Sequence, residues 1–178
     1  MPAVARLERG LTLTECCVSL AIAALMVMVA LPAFTDMLRK RHLEGRAGEL
    51  SADLQWLRTE AVARNVPTRI TLSSDVHGDC YVLHTGDAGD CVCNAGAPAT
   101  CDAGAQAIKS VLFPAAGPVR LTAEEPSTAF DPVRGNARPW NTFTVKDDSG
   151  REVRHAVSFL GRVRSCTTSA ALLRYAPC

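Results

Sequence analysis

The sequence predicts an α+β fold: one long N-terminal helix, apolar in its first half and amphipathic in its second, packed on a C-terminal antiparallel β-sheet domain. Three observations carry this. Residues 16–35 are 20 positions without a charged side chain; as a helix they measure about 30 Å, the thickness of a bilayer's hydrocarbon core. Leu43, Ala47, Leu50, Leu54, Leu57 and Ala61 then recur every third or fourth residue, which is one apolar stripe on an amphipathic helix. Beyond Pro67 the period drops to two, and only strand patterns follow. A sheet laid over the helix is the economical way to bury the stripe.

In chain order, the apolar run reaches Pro32, which removes one backbone hydrogen bond and either kinks the helix at the membrane edge or loosens it there. The amphipathic stretch, residues 36–66, places Asp36, Arg39, Arg41, Glu44, Arg46 and Glu49 away from the stripe. Gly45 and Gly48 weaken its first turns. It ends near Asn65, because Pro67 biases Val66 away from helical geometry. Strands are expected over residues 68–73, 80–85, 108–113, 119–122, 142–146, 153–160 and 172–175. Residues 86–104, rich in Gly, Ala and Asp and holding three cysteines, read as a disulfide-pinned loop. The 178 residues suffice for one membrane element and one domain.

Charge is unevenly spread. Residues 75–133 carry Lys109 and Arg120 against eight acids, a net of −6, and residues 134–178 carry eight Arg or Lys against Asp147, Asp148 and Glu152, a net of +5. The basic C-terminal third suits an anionic partner or is simply a solvated face. Of eight cysteines, Cys16 and Cys17 fall in the apolar run. The remaining Cys80, Cys91, Cys93, Cys101, Cys166 and Cys178 are even in number behind a membrane segment, which favours disulfides and an oxidising compartment. Cys91-Val-Cys93 is too tight for a zinc knuckle, so no metal is expected. Cys166 with Cys178 is the preferred pair, since both flank a short C-terminal strand.

The apolar run opens with Arg9-Gly-Leu-Thr-Leu-Thr-Glu-Cys-Cys, which puts the carboxylate of Glu15 at its start. Read alone, the segment is a secretory signal with a site near Ala30-Leu-Pro-Ala33, a signal anchor, or a helix retained after a cut at Gly10. The order Gly10, Leu11, Thr12, Leu13, Thr14, Glu15, with a basic leader before and an apolar run after, resembles a type IV pilin or pseudopilin N-terminus. Leu11 stands where phenylalanine is usual, and Thr14 where isoleucine is common. The resemblance implies that residues 1–10 are a leader removed by a prepilin peptidase and that Leu11 is then N-methylated. It further implies that residues 11–35 form the transmembrane and filament-core helix. Glu15 then neutralises a neighbouring subunit's N-terminal amine, since a buried acid is costly unless paired. In such a family a proline at the depth of Pro32 marks where the helix melts on assembly. Residues 67–178 form the β-domain, periplasmic while the chain sits in the inner membrane and extracellular in the pilus.

Arg58-Thr-Glu-Ala-Val-Ala-Arg64-Asn65, followed by a strand, resembles the helix end of the GspH/FimT group of minor pilins and pseudopilins. No nucleophile, base or phosphate loop is recognisable among His42, His77, His84, His155 and their neighbours; neither an enzyme nor a cofactor is expected. Gly161-Arg162-Val163-Arg164 is the informative piece. On a strand, Arg162 and Arg164 share a face roughly 7 Å apart, near the spacing of phosphates that guanidinium forks bind. Gly161 allows a turn and a close backbone approach, and Cys166 ties the segment down. The pattern resembles the C-terminal DNA-binding motif of FimT-type minor pilins, which implies capture of double-stranded DNA for natural transformation. Arg174, Arg154, Arg151 and Lys146 would extend the surface; Trp140 and Tyr175 are expected to be packed rather than free to stack. The alternatives are a minor pilin that primes pilus assembly without DNA, its arginines only solubilising, and a type II secretion pseudopilin.

Overall fold

A computed structural model describes residues 12–94 and 97–178. Helix α1 (Leu13–Arg64) is followed by β1 (Thr68–Asp75), β2 (Gly78–Thr85), β3 (Cys91–Asn94), β4 (Ala97–Cys101), β5 (Ala107–Pro114), β6 (Val119–Ala123), β7 (Ser127–Phe130), β8 (Ala137–Arg138), β9 (Asn141–Asp147), β10 (Glu152–Val157), β11 (Val163–Thr167) and β12 (Ala176–Pro177). Two compact units emerge, one ending at Leu38 and the other spanning Arg39–Cys178. The apolar part of α1 is long and apolar enough to cross a membrane.

Local chemistry sets both ends of α1. Thr12 caps the start: its Oγ1 accepts from the Glu15 amide at 3.3 Å. Glu15 therefore occupies the third helical position, where a capping-box acid belongs. The helix continues through Pro32 without interruption. At the other end Asn65 adopts φ 53°. The Val66 amide then reaches back to the Ala61 carbonyl at 3.2 Å and the Asn65 amide to that of Val62 at 3.4 Å. This is a Schellman cap with Asn in the left-handed position, and it closes off carbonyls the helix leaves unpaired. Thr68 Oγ1 donates to the Leu57 carbonyl at 3.0 Å, fastening β1 to the last turns of the helix.

The expected stripe is the core. Leu43, Ala47, Leu50, Leu54, Leu57 and Ala61 are fully buried, and they form one cluster with residues of two sheets rather than one. The first sheet runs β5-β2-β1-β7-β8 and gives Ile70, Tyr81, Leu83, Phe113 and Phe130; the second runs β12-β11-β10-β9-β6 and gives Leu121, Phe143, Val145, Val153 and Val157. Strict alternation of buried and outward residues along β9 and β10 leaves Thr142, Thr144, Lys146, Arg154 and Ala156 on the second sheet's outer face. Pairing is antiparallel throughout except for β11 with β12.

Four differences from the sequence reading have physical causes. Residues 86–104 contain a β3–β4 hairpin, not only loop: Cys91 bonds Cys101 across it, and Cys80–Cys93 ties it to β2. The expected strand 153–160 stops at Val157, where a turn begins. Residues 172–175 form turns, because Leu172 is drawn into the core instead of pairing along an edge. Glu44 is buried, not turned away, with Arg41 3.7 Å from its carboxylate. The third disulfide, Cys166–Cys178, closes the tail under β12.

Half-buried polar groups pair where helix and sheet meet. Lys109 Nζ on β5 lies 3.0 Å from Glu49 and 2.7 Å from Asp53, and the Tyr81 hydroxyl donates to Asp53 at 2.6 Å. Burial pushes the Glu49 carboxyl up, but Lys109 and Arg46 outweigh it and hold the pKa below the usual value. His155 is buried on the inner face of β10, its Nδ1 2.8 Å from Ser165 Oγ. Burial drives its pKa down to about 4, against a weaker opposing contact with the Ala47 backbone. His84 is also held low by burial.

Stability follows from these histidines. The unfolded chain takes up their protons near pH 6.5, while folded His155 refuses its own until about pH 4. Their contribution to stability is thus fully present above pH 6.5 and is lost as pH drops toward 4. Urea denaturation of the Arg39–Cys178 unit across that window should register a loss of up to about 3 kcal/mol from His155, and His155→Gln should flatten that share. Leu54→Ala, which empties a fully buried site, should cost roughly 2–5 kcal/mol at any pH.

Candidate functional site

The β10–β11 hairpin presents the Gly161–Arg164 segment. The Gly161 amide donates to the Ser158 carbonyl at 2.8 Å and the Ser158 amide to the Arg162 carbonyl at 3.0 Å. Gly161 has φ 70°. This is a type I turn closed by a glycine bulge, and the bulge requires a left-handed residue. Gly161 is buried, and a Cβ there would strike the Gly135 carbonyl and the Arg58 side chain. The close approach that this glycine permits is therefore made within the fold. Arg58 completes the junction: its Nε donates to the Gly135 carbonyl at 3.0 Å, one of five guanidinium donors.

Arg162 immediately precedes β11, and Arg164 lies within it opposite Ala156. Both side chains are exposed, and neither makes a hydrogen bond or ion pair with another described residue. One shallow depression gathers Arg162 and Arg164 with Arg58, Gln55 and Thr59 of α1. A second, on the outer face of the sheet, sets the same two arginines beside Trp140 and Leu160. Arg138 stands 5.1 Å from the centre of the Phe159 ring at the hairpin tip. No group of three or more His, Cys, Asp or Glu suited to a metal occurs among the described residues.

The other sequence-derived candidates divide. Arg151 does not extend the basic surface: it is buried, with Nε 2.7 Å from Asp147 Oδ2, and the pair shapes the β9–β10 turn. Arg154 reaches the outer face but is held by Glu152 at 2.6 Å. Lys146 is exposed on the same face, opposite Glu152. Arg174 is exposed in the C-terminal segment. Tyr175 packs partly against the core, whereas Trp140, expected to be packed, is 70% exposed. Gly10 and Leu11 lie outside the described residues, and Glu15 sits in the first turn of α1. Sequence reasoning missed Arg58 as a member of this site. It stands in the quoted helix-end segment, but nothing in a helical period reveals a contact with Gly135, 77 residues away.

Gly161→Ala should lower stability by about 1–3 kcal/mol, because the bulge and the Gly135 contact both forbid a side chain. Arg164→Ala should stay within about 0.5 kcal/mol. Thermal denaturation of the two variants separates the scaffold of the hairpin from its free cations.

Comparison with known proteins adds two findings. The sequence profile of the family described as "Type II transport protein GspH" matches residues 46–161, more than half of the chain. Two crystal forms of the type IV minor pilin FimU of Pseudomonas aeruginosa PAO1 are similar in structure, each with a TM-score of 0.50. They are 21% and 18% identical in sequence, and the alignments cover 70% and 68% of this chain and 87% and 90% of that one. At those identities the likeness speaks to the fold. No curated protein matches in sequence.

Proposed function

The chain belongs to the GspH family, and from that premise we propose that it is a minor type IV pilin whose β-domain holds double-stranded extracellular DNA without reading its sequence, for uptake in natural transformation. The observation that carries this is the pair of exposed guanidiniums at Arg162 and Arg164, without a partner among the described residues and grouped with Arg58 on a braced hairpin. Guanidiniums with no protein partner are available to phosphates, and their forked donors match phosphate geometry. Among the described residues the one helix is occupied by the core and the apolar anchor, which leaves no free helix to enter the major groove and read bases.

Assembly follows the same premise. A prepilin peptidase cuts after Gly10 and methylates Leu11. The chain waits in the inner membrane as a single pass through residues 11–35 and then joins other pilin subunits in the filament. There Glu15 pairs with the amine of a neighbouring subunit's Leu11. In this reading the capping position of Glu15 serves the free chain, and the ion pair serves the filament. A second reading, favoured by the family's description as a type II transport protein, makes the chain a secretion pseudopilin whose β-domain meets other pseudopilins.

Binding of residues 36–178 to duplex DNA should weaken as salt rises. The logarithmic slope should be about −2 to −3 for contacts through Arg58, Arg162 and Arg164, and each arginine removed should reduce it by about 0.9. Arg162→Ala/Arg164→Ala that binds like the parent would move the site elsewhere. No binding even at low salt would leave the secretion or assembly-priming reading in front, and deletion in the native cell would then be scored for secretion and pilus number. Mass spectrometry of the filament-borne chain should find it beginning at a methylated Leu11, and Glu15→Ala should deplete it from filaments.

A further inference from the structure

The outer face of the second sheet carries a feature that phosphate binding does not use. Trp140 is 70% exposed and borders the groove that Arg162 and Arg164 also line. Across the groove, Arg164, Ala156 and Thr142 lie side by side on β11, β10 and β9. The small side chains of Ala156 and Thr142 line the same groove as the indole and the guanidiniums. No carboxylate lines it.

The indole is held on an ordered chain. Its neighbour Asn141 is buried, accepts from the Glu125 amide at 3.0 Å, and donates to the Glu125 carbonyl at 2.8 Å and to Thr128 Oγ1 at 3.0 Å. The backbone beside Trp140 is thus fixed before any ligand arrives, so little ordering cost falls on binding. An indole exposed to water, one residue from such an anchor and in one groove with two cations that have no partner among the described residues, has the two parts of a single-strand site: an aromatic platform and a charged track.

We infer that this groove takes an unpaired nucleobase, which stacks on Trp140 while Arg162 and Arg164 hold the flanking phosphates. The inference rests on the DNA-binding reading and narrows it: the site engages single-stranded segments or frayed ends more tightly than closed duplex. In closed duplex the bases stack on one another, and their faces are not offered to an indole. In an unpaired stretch every base has a free face, so the preference is for strandedness and not for sequence.

The test uses the full chain in detergent micelles with Trp56→Phe, which leaves Trp140 as the sole tryptophan. Three probes of about ten nucleotides are compared at one low salt concentration: oligo-dT, an abasic strand of equal charge, and a duplex. Oligo-dT should quench the Trp140 fluorescence and bind roughly tenfold tighter than the abasic strand. Trp140→Ala, followed by anisotropy of labelled probes, should erase that difference and leave duplex affinity unchanged. Equal affinity for oligo-dT and the abasic strand, or discrimination that survives Trp140→Ala, overturns the stacking site and leaves duplex binding standing. Failure of all three probes to bind removes both readings together.

Discussion

The burial of one helical stripe organises the rest of the molecule. Six residues from Leu43 to Ala61 are removed from water, and the two sheets exist as covers for them. Such burial contributes about 25 cal/mol per Å² of apolar surface, and it has no directional preference of its own. Direction comes from polar contacts at the edges. Lys109 with Glu49 and Asp53 fixes the β5 edge of the first sheet against the helix. Thr68 on Leu57 fixes where β1 starts, and Arg58 on Gly135 fixes the loop that meets the second sheet. Breaking one partner of the Lys109 cluster would strand charges in a half-buried place, which is why such groups register packing as well as stabilise it.

Much of this was legible in the sequence because it is periodic. The stripe, the change of period at Pro67 and the alternation in residues 68–73 and 80–85 are one-dimensional signals of burial, and each became the element it announced. The helix end at Asn65 was readable because proline and asparagine act locally. What stayed hidden depends on partners far along the chain. The second sheet has the same alternation as the first, so a single-sheet reading had no reason to split them. β7 gains its strand character from pairing with β1, and β3–β4 from a cross-strand disulfide in a stretch whose composition says loop.

The candidate site shows the same division. Arg162 and Arg164 were visible as a pair, and their separation from the protein's own acids follows from a register that sets Arg164 opposite Ala156. Arg151 looked equivalent in sequence and is not, because it lies four residues from Asp147 across a tight turn and is consumed by it. Trp140 looked like core and is not, because Asn141 takes the inward position at the start of β9. For Trp140 one residue's shift along the chain decides whether a side chain meets water, since neighbouring strand positions face opposite sides.

The Arg58–Gly135–Gly161 junction has a mechanical consequence. Arg58 belongs to the helix that leads toward the apolar anchor, and Gly161 is the residue just before Arg162. Tension applied between that helix and anything gripped by Arg162 and Arg164 would run across this junction and along β11, which is zipped to β10 over five residue pairs. The tail that follows Cys166 returns to it through the bond with Cys178, so it closes on itself. A pull on the hairpin would thus be shared by the β10–β11 ladder and by Arg58, whose bond to the Gly135 carbonyl ties the helix to the β7–β8 loop beside Gly161.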